Sequence, residues 1–258
     1  LRFPAQNFVR FFANHDLMTG LDPAQRWRTV EGGSREYVHR IHQRLGPRVE
    51  AGRAVAAVET GGQPRIRFAD GGEEAFDQVV LATHGPEARA LVTEPDGLQA
   101  EILSAFRTSQ NRAVLHSDPV LMPRRRRVWS SWNFLSDGLE ADAQRPAQVT
   151  YWMNRLQSIP GHRPLFVSLN PSRDPDPALV HGEYACAHPL YDEAAFGAQQ
   201  RMDLIQGRGG VWYAGAWLGD GFHEDGLRAG LRVAEALGAR PSWAADTGAP
   251  LEWVHAAE

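Results

Sequence analysis

The stretch YAGAWLGDGFHEDGLRAGLRVAEAL, residues 213–237, holds five glycines in its first eighteen positions and then runs into an alanine- and leucine-rich helix. It reads as a very short strand over 211–214, a glycine-rich crossing and a helix that begins after His223. Such a unit sets unbonded backbone N–H groups and the positive end of a helix dipole at the carboxyl edge of a sheet, where an electron-rich group can dock. Gly215, Gly219 and Gly221 would let a ligand approach the backbone without meeting a Cβ. Gly226 and Gly230, four apart, would let the helix pack close to a neighbour. A plain tight turn accounts for the same glycines, and both readings stay open. A Walker-type phosphate loop is excluded, because it needs a lysine and all 27 basic residues are arginine.

Other residues with chemical potential have plainer readings beside them. His39 and His42 lie three apart with Glu36 on one helix, a metal-like spacing that a solvated helix face explains equally. Arg124 to Arg127 follow Pro123 in a turn-rich stretch, where they can grip a phosphate or simply meet water. Cys186 between two alanines reads as a core residue. His84 closes the apolar run FDQVVLAT as a loop residue. Trp132, Asn133, Tyr151, Trp152 and Asn154 interleave aromatic rings with amides, which suits either the floor of an apolar substrate pocket or the packing of a sheet.

These residues need elements to hold them. Residues 3–21 read as a helix followed by a loop, with Phe8, Phe11, Phe12 and Leu17 as anchors. Gly32-Gly33 forms a turn, Ser34 caps a helix that buries Tyr37, Val38, Ile41 and Leu45, and Gly46 stops it. Strands are expected over 48–59, 65–68 and 76–82, separated by GGQP and DGGE as in a hairpin, with the last one buried. A helix over 86–106 must break at Pro95-Asp96-Gly97. From 112 to 188, NRAVLHS, VWSSWNF, QVTYWMN, PLFVSLN and GEYACAH recur at regular spacing and predict an antiparallel sheet. Residues 192–206 return to helix, and 207–210 turn.

Composition narrows the classes. With 258 residues, 43% of them hydrophobic and 22% charged, the chain can bury one sizeable core or two modest ones. A net charge of −4 gives no electrostatic reason to invoke nucleic acid. A single cysteine excludes an internal disulfide and fits a reducing, cytoplasmic compartment. No apolar run reaches the ~18 residues of a membrane span, and the first residues lack the apolar core of a signal peptide.

The motifs WRTVEGGSREYV, FDQVVLAT, SWN, VTYWMNRLQ and GFHEDGLRAGLRVAEAL, in that order, resemble a bacterial group of predicted NAD/FAD-binding flavoproteins in the flavin amine oxidase and phytoene desaturase superfamily. The resemblance runs to about Trp243. It implies an α/β and α+β architecture: a partial Rossmann-like FAD-binding domain, plus a substrate domain with a mixed or antiparallel sheet flanked by helices. On this view residues 1–45 are substrate-domain helices and 46–106 an FAD-domain segment. Residues 107–206 are the substrate-domain sheet and helix, 207–243 the closing FAD-domain segment and 244–258 a tail. The family's opening strand–GxGxxG–helix unit has no counterpart here. The chain is therefore expected to be the carboxyl-terminal portion of a longer protein, with that missing segment as its first partner.

The resemblance further implies that Gly215 lies by the FAD ribityl and diphosphate, with Gly221, Phe222, His223 and Glu224 under the flavin ring. The His223 N–H would face the pyrimidine carbonyl and Phe222 the substrate side. Ala54 and Val55 match a backbone segment that recognises adenine, although an ordinary apolar strand fits them as well. A helix N-terminus there would stabilise negative charge on the flavin, so Glu224 and Asp225 are expected to point away.

Many amine oxidases of the superfamily hold a water with a substrate-domain lysine, and this chain has none. The bacterial group is often implicated in fatty-acyl or membrane-lipid modification. The expectation is an FAD-dependent oxidoreductase that transfers hydride from an apolar lipid substrate, fatty-acyl or isoprenoid, to flavin N5, with peripheral contact to a membrane or lipid enzyme. The alternatives are a non-catalytic flavin-binding accessory module and an amine oxidase.

Overall fold

A computed structural model describes residues 5–14, 29–134 and 148–241. The first part of the chain gives α1 (Ala5–Asn14), α2 (Arg35–Leu45), β1 (Val55–Glu59), β2 (Arg65–Phe68), β3 (Glu73–Ala75), β4 (Val79–Leu81), α3 (Gly85–Leu91) and α4 (Gly97–Ser104). There follow β5 (Arg107–His116), β6 (Trp132–Phe134), β7 (Val149–Trp152), α5 (Met153–Leu156), β8 (Phe166–Leu169), β9 (Val180–Leu190), α6 (Glu193–Gln199), β10 (Val211–Tyr213) and α7 (His223–Ala236). The chain forms two compact units and, among the described residues, passes between them at Val49–Glu50, Thr108–Ser109 and His188–Pro189.

One unit gathers residues 5–14, 50–108 and 189–241 among those described. Its centre is the parallel pair β4 and β10, in register Val79 to Val211, Val80 to Trp212 and Leu81 to Tyr213. Parallel strands require a crossover, and here the chain travels through residues 109–188 of the other unit before β10 returns. Val79, Leu81, Ile102, Leu103, Ile205, Val211, Tyr213 and Trp217 are buried in one core. Val80 remains 43% exposed, so FDQVVLAT is buried on one side only and not throughout as its composition predicts.

The free side of β10 is closed by a side chain. The Gln206 carboxamide donates to the Tyr213 carbonyl and accepts from the Tyr213 N–H, both at 2.8 Å, as a neighbouring strand would. Beside this pair, β1, β2 and β3 make an antiparallel meander. Its third strand is Glu73–Ala75, not the expected 76–82, because β4 leaves to join β10. The predicted helix over 86–106 is two helices. Asp96 caps the second by accepting from Leu98 N (2.9 Å) and Gln99 N (2.8 Å), and the Gln99 carboxamide accepts from Asp96 N (3.1 Å).

The other unit gathers residues 29–49, 109–134 and 148–188. Its five-stranded sheet has the order β6-β7-β8-β5-β9, with antiparallel pairing at β6–β7, β7–β8 and β5–β8. The predicted strands therefore form one sheet. α2 has the expected bounds but buries none of its residues, and Ser34 sits in helical geometry without a side-chain cap bond. Cys186 is exposed on β9, not in a core. Among the described residues, no helix is long and apolar enough to cross a membrane, and no cluster of His, Cys, Asp and Glu could hold a metal. The Leu17 anchor lies outside the described residues.

Candidate functional site

The site grows from the carboxyl end of β10. Ala214 N donates to the Leu81 carbonyl (3.0 Å), extending the pairing by one residue. Gly215 then takes φ 156°, and Ala216–Leu218 make one 3-10 turn that drives Trp217 into the core. The Trp217 indole donates to the Thr83 carbonyl (2.8 Å) beyond β4 and meets Phe106 edge-on, with centroids 4.4 Å apart. From α6, the Gln199 carboxamide donates to the carbonyls of Trp217 (2.9 Å) and Gly219 (2.8 Å). These bonds tie the crossing to both parallel strands before α7 starts.

α7 begins at His223 with Phe222 as its N-cap, and its first intrahelical bond runs from Gly226 N to the Phe222 carbonyl (3.2 Å). Asp225 turns back along the chain. Its carboxylate folds back to accept from Phe222 N (2.9 Å) and lies against Gly219. An acidic residue three positions into a helix gains both a charge-assisted hydrogen bond and the attraction of the dipole. Glu224 pairs with Arg228 at 3.0 Å.

Gly215, Gly221, Phe222, His223 and Glu224 thus share one turn, and Gly221 to Glu224 are exposed. The glycines serve that turn differently from the ligand-approach reading. A Cβ on Gly215 would stand 2.5 Å from the Trp217 indole nitrogen, one on Gly219 would fall on Asp225, and one on Gly221 would stand 2.5 Å from the Tyr191 hydroxyl. Each glycine makes room for protein, with Gly221 also at φ 96°. Ala54 and Val55 sit elsewhere, at the start of β1. The Ala54 carbonyl accepts from Ala69 N (2.8 Å) and Val55 pairs with Phe68, so both take part in the hairpin ladder.

Sequence reasoning passed over Tyr191, which precedes α6. Its hydroxyl is buried without a hydrogen-bond partner beneath Gly221. Burial first, then the nearby Asp225 and Asp220 charges, push the phenol well above its usual range, so it stays protonated. No periodicity or motif marks such a residue; only the approach of Gly221 does.

In the other unit, cross-strand pairing sorts the candidate pocket residues. Trp132 stands opposite Tyr151, and Tyr151 opposite Val167, which pairs with Leu115; these share one face with Phe134. Trp132 is 49% and Phe134 68% exposed. The opposite face holds Asn133, Thr150 and Ser168, all buried. There Asn133 donates to the Ser130 carbonyl (2.7 Å), Thr150 and Ser168 share a 2.8 Å hydroxyl bond, and His116 Nε2 meets Ser168 Oγ at 2.8 Å. Trp152 packs on this buried side, edge-on to Trp129 at 5.3 Å. Asn154 is spent on the following loop, accepting from Leu165 N (2.7 Å) and donating to the Arg163 carbonyl (3.1 Å). The five residues therefore do not form one floor. A two-residue period separates Trp132 and Tyr151 from Asn133 and Trp152, and Asn154 lies beyond the strand.

The residues present fit a flavin at the α7 turn. An exposed strip of backbone from Gly221 to His223 opens a helix at the carboxyl edge of a parallel strand pair, with the half-exposed Phe222 ring beside it. That arrangement suits a flat, electron-rich ring system.

The pattern of the family described as "Flavin containing amine oxidoreductase" matches residues 2–155, a stretch that ends before the α7 turn. The fold is shared with several solved structures. A CLA-producing fatty acid isomerase from P. acnes is 14% identical with a TM-score of 0.57, the match covering 80% of this chain and 52% of that one. Putrescine oxidase bound to putrescine is 16% identical with a TM-score of 0.54, covering 81% and 54%. Reduced UDP-galactopyranose mutase is 12% identical with a TM-score of 0.55, covering 81% and 52%. The chain spans about half the length of each. No curated protein sequence matches it.

Proposed function

The chain belongs to the flavin-containing amine oxidoreductase family, and from that premise we propose that the protein is an FAD-dependent oxidoreductase acting on an apolar substrate of fatty-acyl or isoprenoid class. The substrate class rests on the open face of the five-stranded sheet. There Leu115, Trp132, Phe134, Tyr151 and Val167 present apolar surface that is half-buried or exposed. A fatty acid isomerase among the structures of shared fold agrees with that chemistry. The absence of lysine argues against amine oxidation through a lysine-held water.

FAD, when bound, takes up an electron pair from the substrate and passes it to an acceptor. Gly221, Phe222, His223 and Glu224 would line the ring's edge, Gly215 the ribityl and diphosphate, and Ala54 and Val55 the adenine. The Phe222 ring would give an apolar wall beside the cofactor. Trp217 and Gln199 would keep the turn fixed. The second edge of β4, which pairs with β10 alone among the described strands, would take a strand from a preceding segment of the chain. That segment would also supply the diphosphate-binding glycines. On this reading 46–106 and 207–243 serve the cofactor, while 1–45 and 107–206 serve the substrate.

The test is anaerobic titration of the FAD-loaded full-length protein with a lipid extract and, separately, with diamines. Bleaching of the flavin absorbance by lipid alone is expected. Bleaching by diamines alone would make the protein an amine oxidase. Flavin that no donor bleaches would mark an accessory module, and a protein that takes up no flavin would overturn the reading entirely.

A further inference from the structure

The fold-back of Asp225 has an electrostatic meaning that a carboxylate pointing away would lack. An N-terminal helix dipole amounts to about half a positive charge spread over the first turn. Here a carboxylate sits inside that turn, bonded to the Phe222 N–H and half-buried against Gly219. Asp220, one residue before Gly221, adds a second carboxylate beside Tyr191. The Tyr191 phenol between them is neutral and offers no compensating charge. Arg232, two helical turns along α7, lies within electrostatic reach of Asp225 and also of Asp203 and Arg228. Glu224 is neutralised outside the turn by Arg228.

Resting on the reading that a flavin lies against the Gly221–His223 strip, we propose that Asp225 sets the charge the bound cofactor can carry, by disfavouring the anionic form of the reduced ring. Reduced flavin would gain its negative charge at N1 and the C2 carbonyl, the edge that the resemblance assigns to this strip. A carboxylate within one turn raises the cost of that charge, and a half-buried position limits screening by salt. Asp225 is thus a tuning residue that acts through the field of the turn. It favours a cofactor that stays neutral when reduced.

The test follows the absorbance of the reduced cofactor against pH in the FAD-loaded full-length protein. The wild type should keep its reduced flavin neutral to a higher pH than free reduced FAD. Asp225→Asn retains an oxygen that accepts from Phe222 N and removes only the charge. It should lower the ionisation pH by about one unit, a tenfold change in proton affinity. Glu235→Gln makes the same charge change near the far end of α7 and should leave that pH in place. Should Asp225→Asn fail to fold, the wild-type titration still decides. A reduced flavin that is anionic throughout overturns the proposal, as does an Asp225→Asn protein that titrates like wild type. A protein that binds no flavin overturns both this proposal and the reading beneath it. One that binds flavin and is indifferent to Asp225 overturns this proposal alone.

Discussion

Gly221 and Tyr191 offer a double-mutant cycle whose terms can be worked from the geometry. Gly221→Ala places a Cβ at φ 96°, which costs on the order of 1–3 kcal/mol for a residue with a side chain. The new methyl would stand 2.5 Å from the Tyr191 hydroxyl, and forcing atoms into a packed site costs roughly another 1–3 kcal/mol. Together these amount to about 2–6 kcal/mol, a large part of the 5–15 kcal/mol that keeps a domain folded. Tyr191→Phe alone removes a buried hydroxyl with no partner, and should be neutral or stabilising by up to about 1–3 kcal/mol. In the double variant the overlap disappears while the backbone strain remains. The coupling between the two sites should therefore be favourable by ~1–3 kcal/mol, well above the few tenths seen for independent sites. Denaturant unfolding of the four proteins, with equal m-values, measures it. Strict additivity would refute the contact between Gly221 and Tyr191, and a silent Gly221→Ala would refute the left-handed turn itself.

His116 is buried, and desolvation, the largest influence on it, lowers its pKa despite the opposing pull of Asp118; His181 adds to the lowering. Its folded-state value therefore lies below that of the unfolded chain near 6.5, so its neutral form supports the fold above that pH, and stability is lost as the pH falls towards the folded value. His116→Phe should flatten this acid limb in thermal melts, and an unchanged limb would assign the loss to other groups. Gln206→Ala removes both bonds to Tyr213 and should cost about 1–3 kcal/mol in denaturant unfolding, given ~0.5–1.5 kcal/mol for each; an unperturbed midpoint would mean that water replaces the carboxamide at no cost.

The elements legible in the sequence were those with local causes. Asp96 and Gly97 broke a helix because an aspartate cap and a glycine speak for themselves, and the recurring β-rich runs became one sheet because their alternation records a buried face. The α7 turn was legible through its glycines, but their purpose was not. Whether a missing Cβ makes room for a ligand or for Tyr191 depends on a residue thirty positions away, and no local signal carries that. The pocket residues divide between two faces for a related reason. Trp132-Asn133 and Tyr151-Trp152 are neighbours in sequence, and neighbours on a strand face opposite ways. The partner of Asp225 was not legible either: its charge suits a first helical turn, but that the carboxylate accepts from the Phe222 N–H three residues earlier shows only in the folded chain.

Gln206 has a consequence for growth. Sheets lengthen sideways by recruiting whatever extended chain meets their unpaired amides, and a strand of three residues is easily recruited from a neighbouring molecule. By occupying both groups of Tyr213 with one carboxamide, the protein makes β10 a terminus at the expense of a single side chain. Enlargement of the parallel pair is then directional. Any newcomer must arrive beside β4, which becomes an interior strand, while β10 stays outermost. Polymerisation through β10 is blocked without a proline, a bulge or a covering helix.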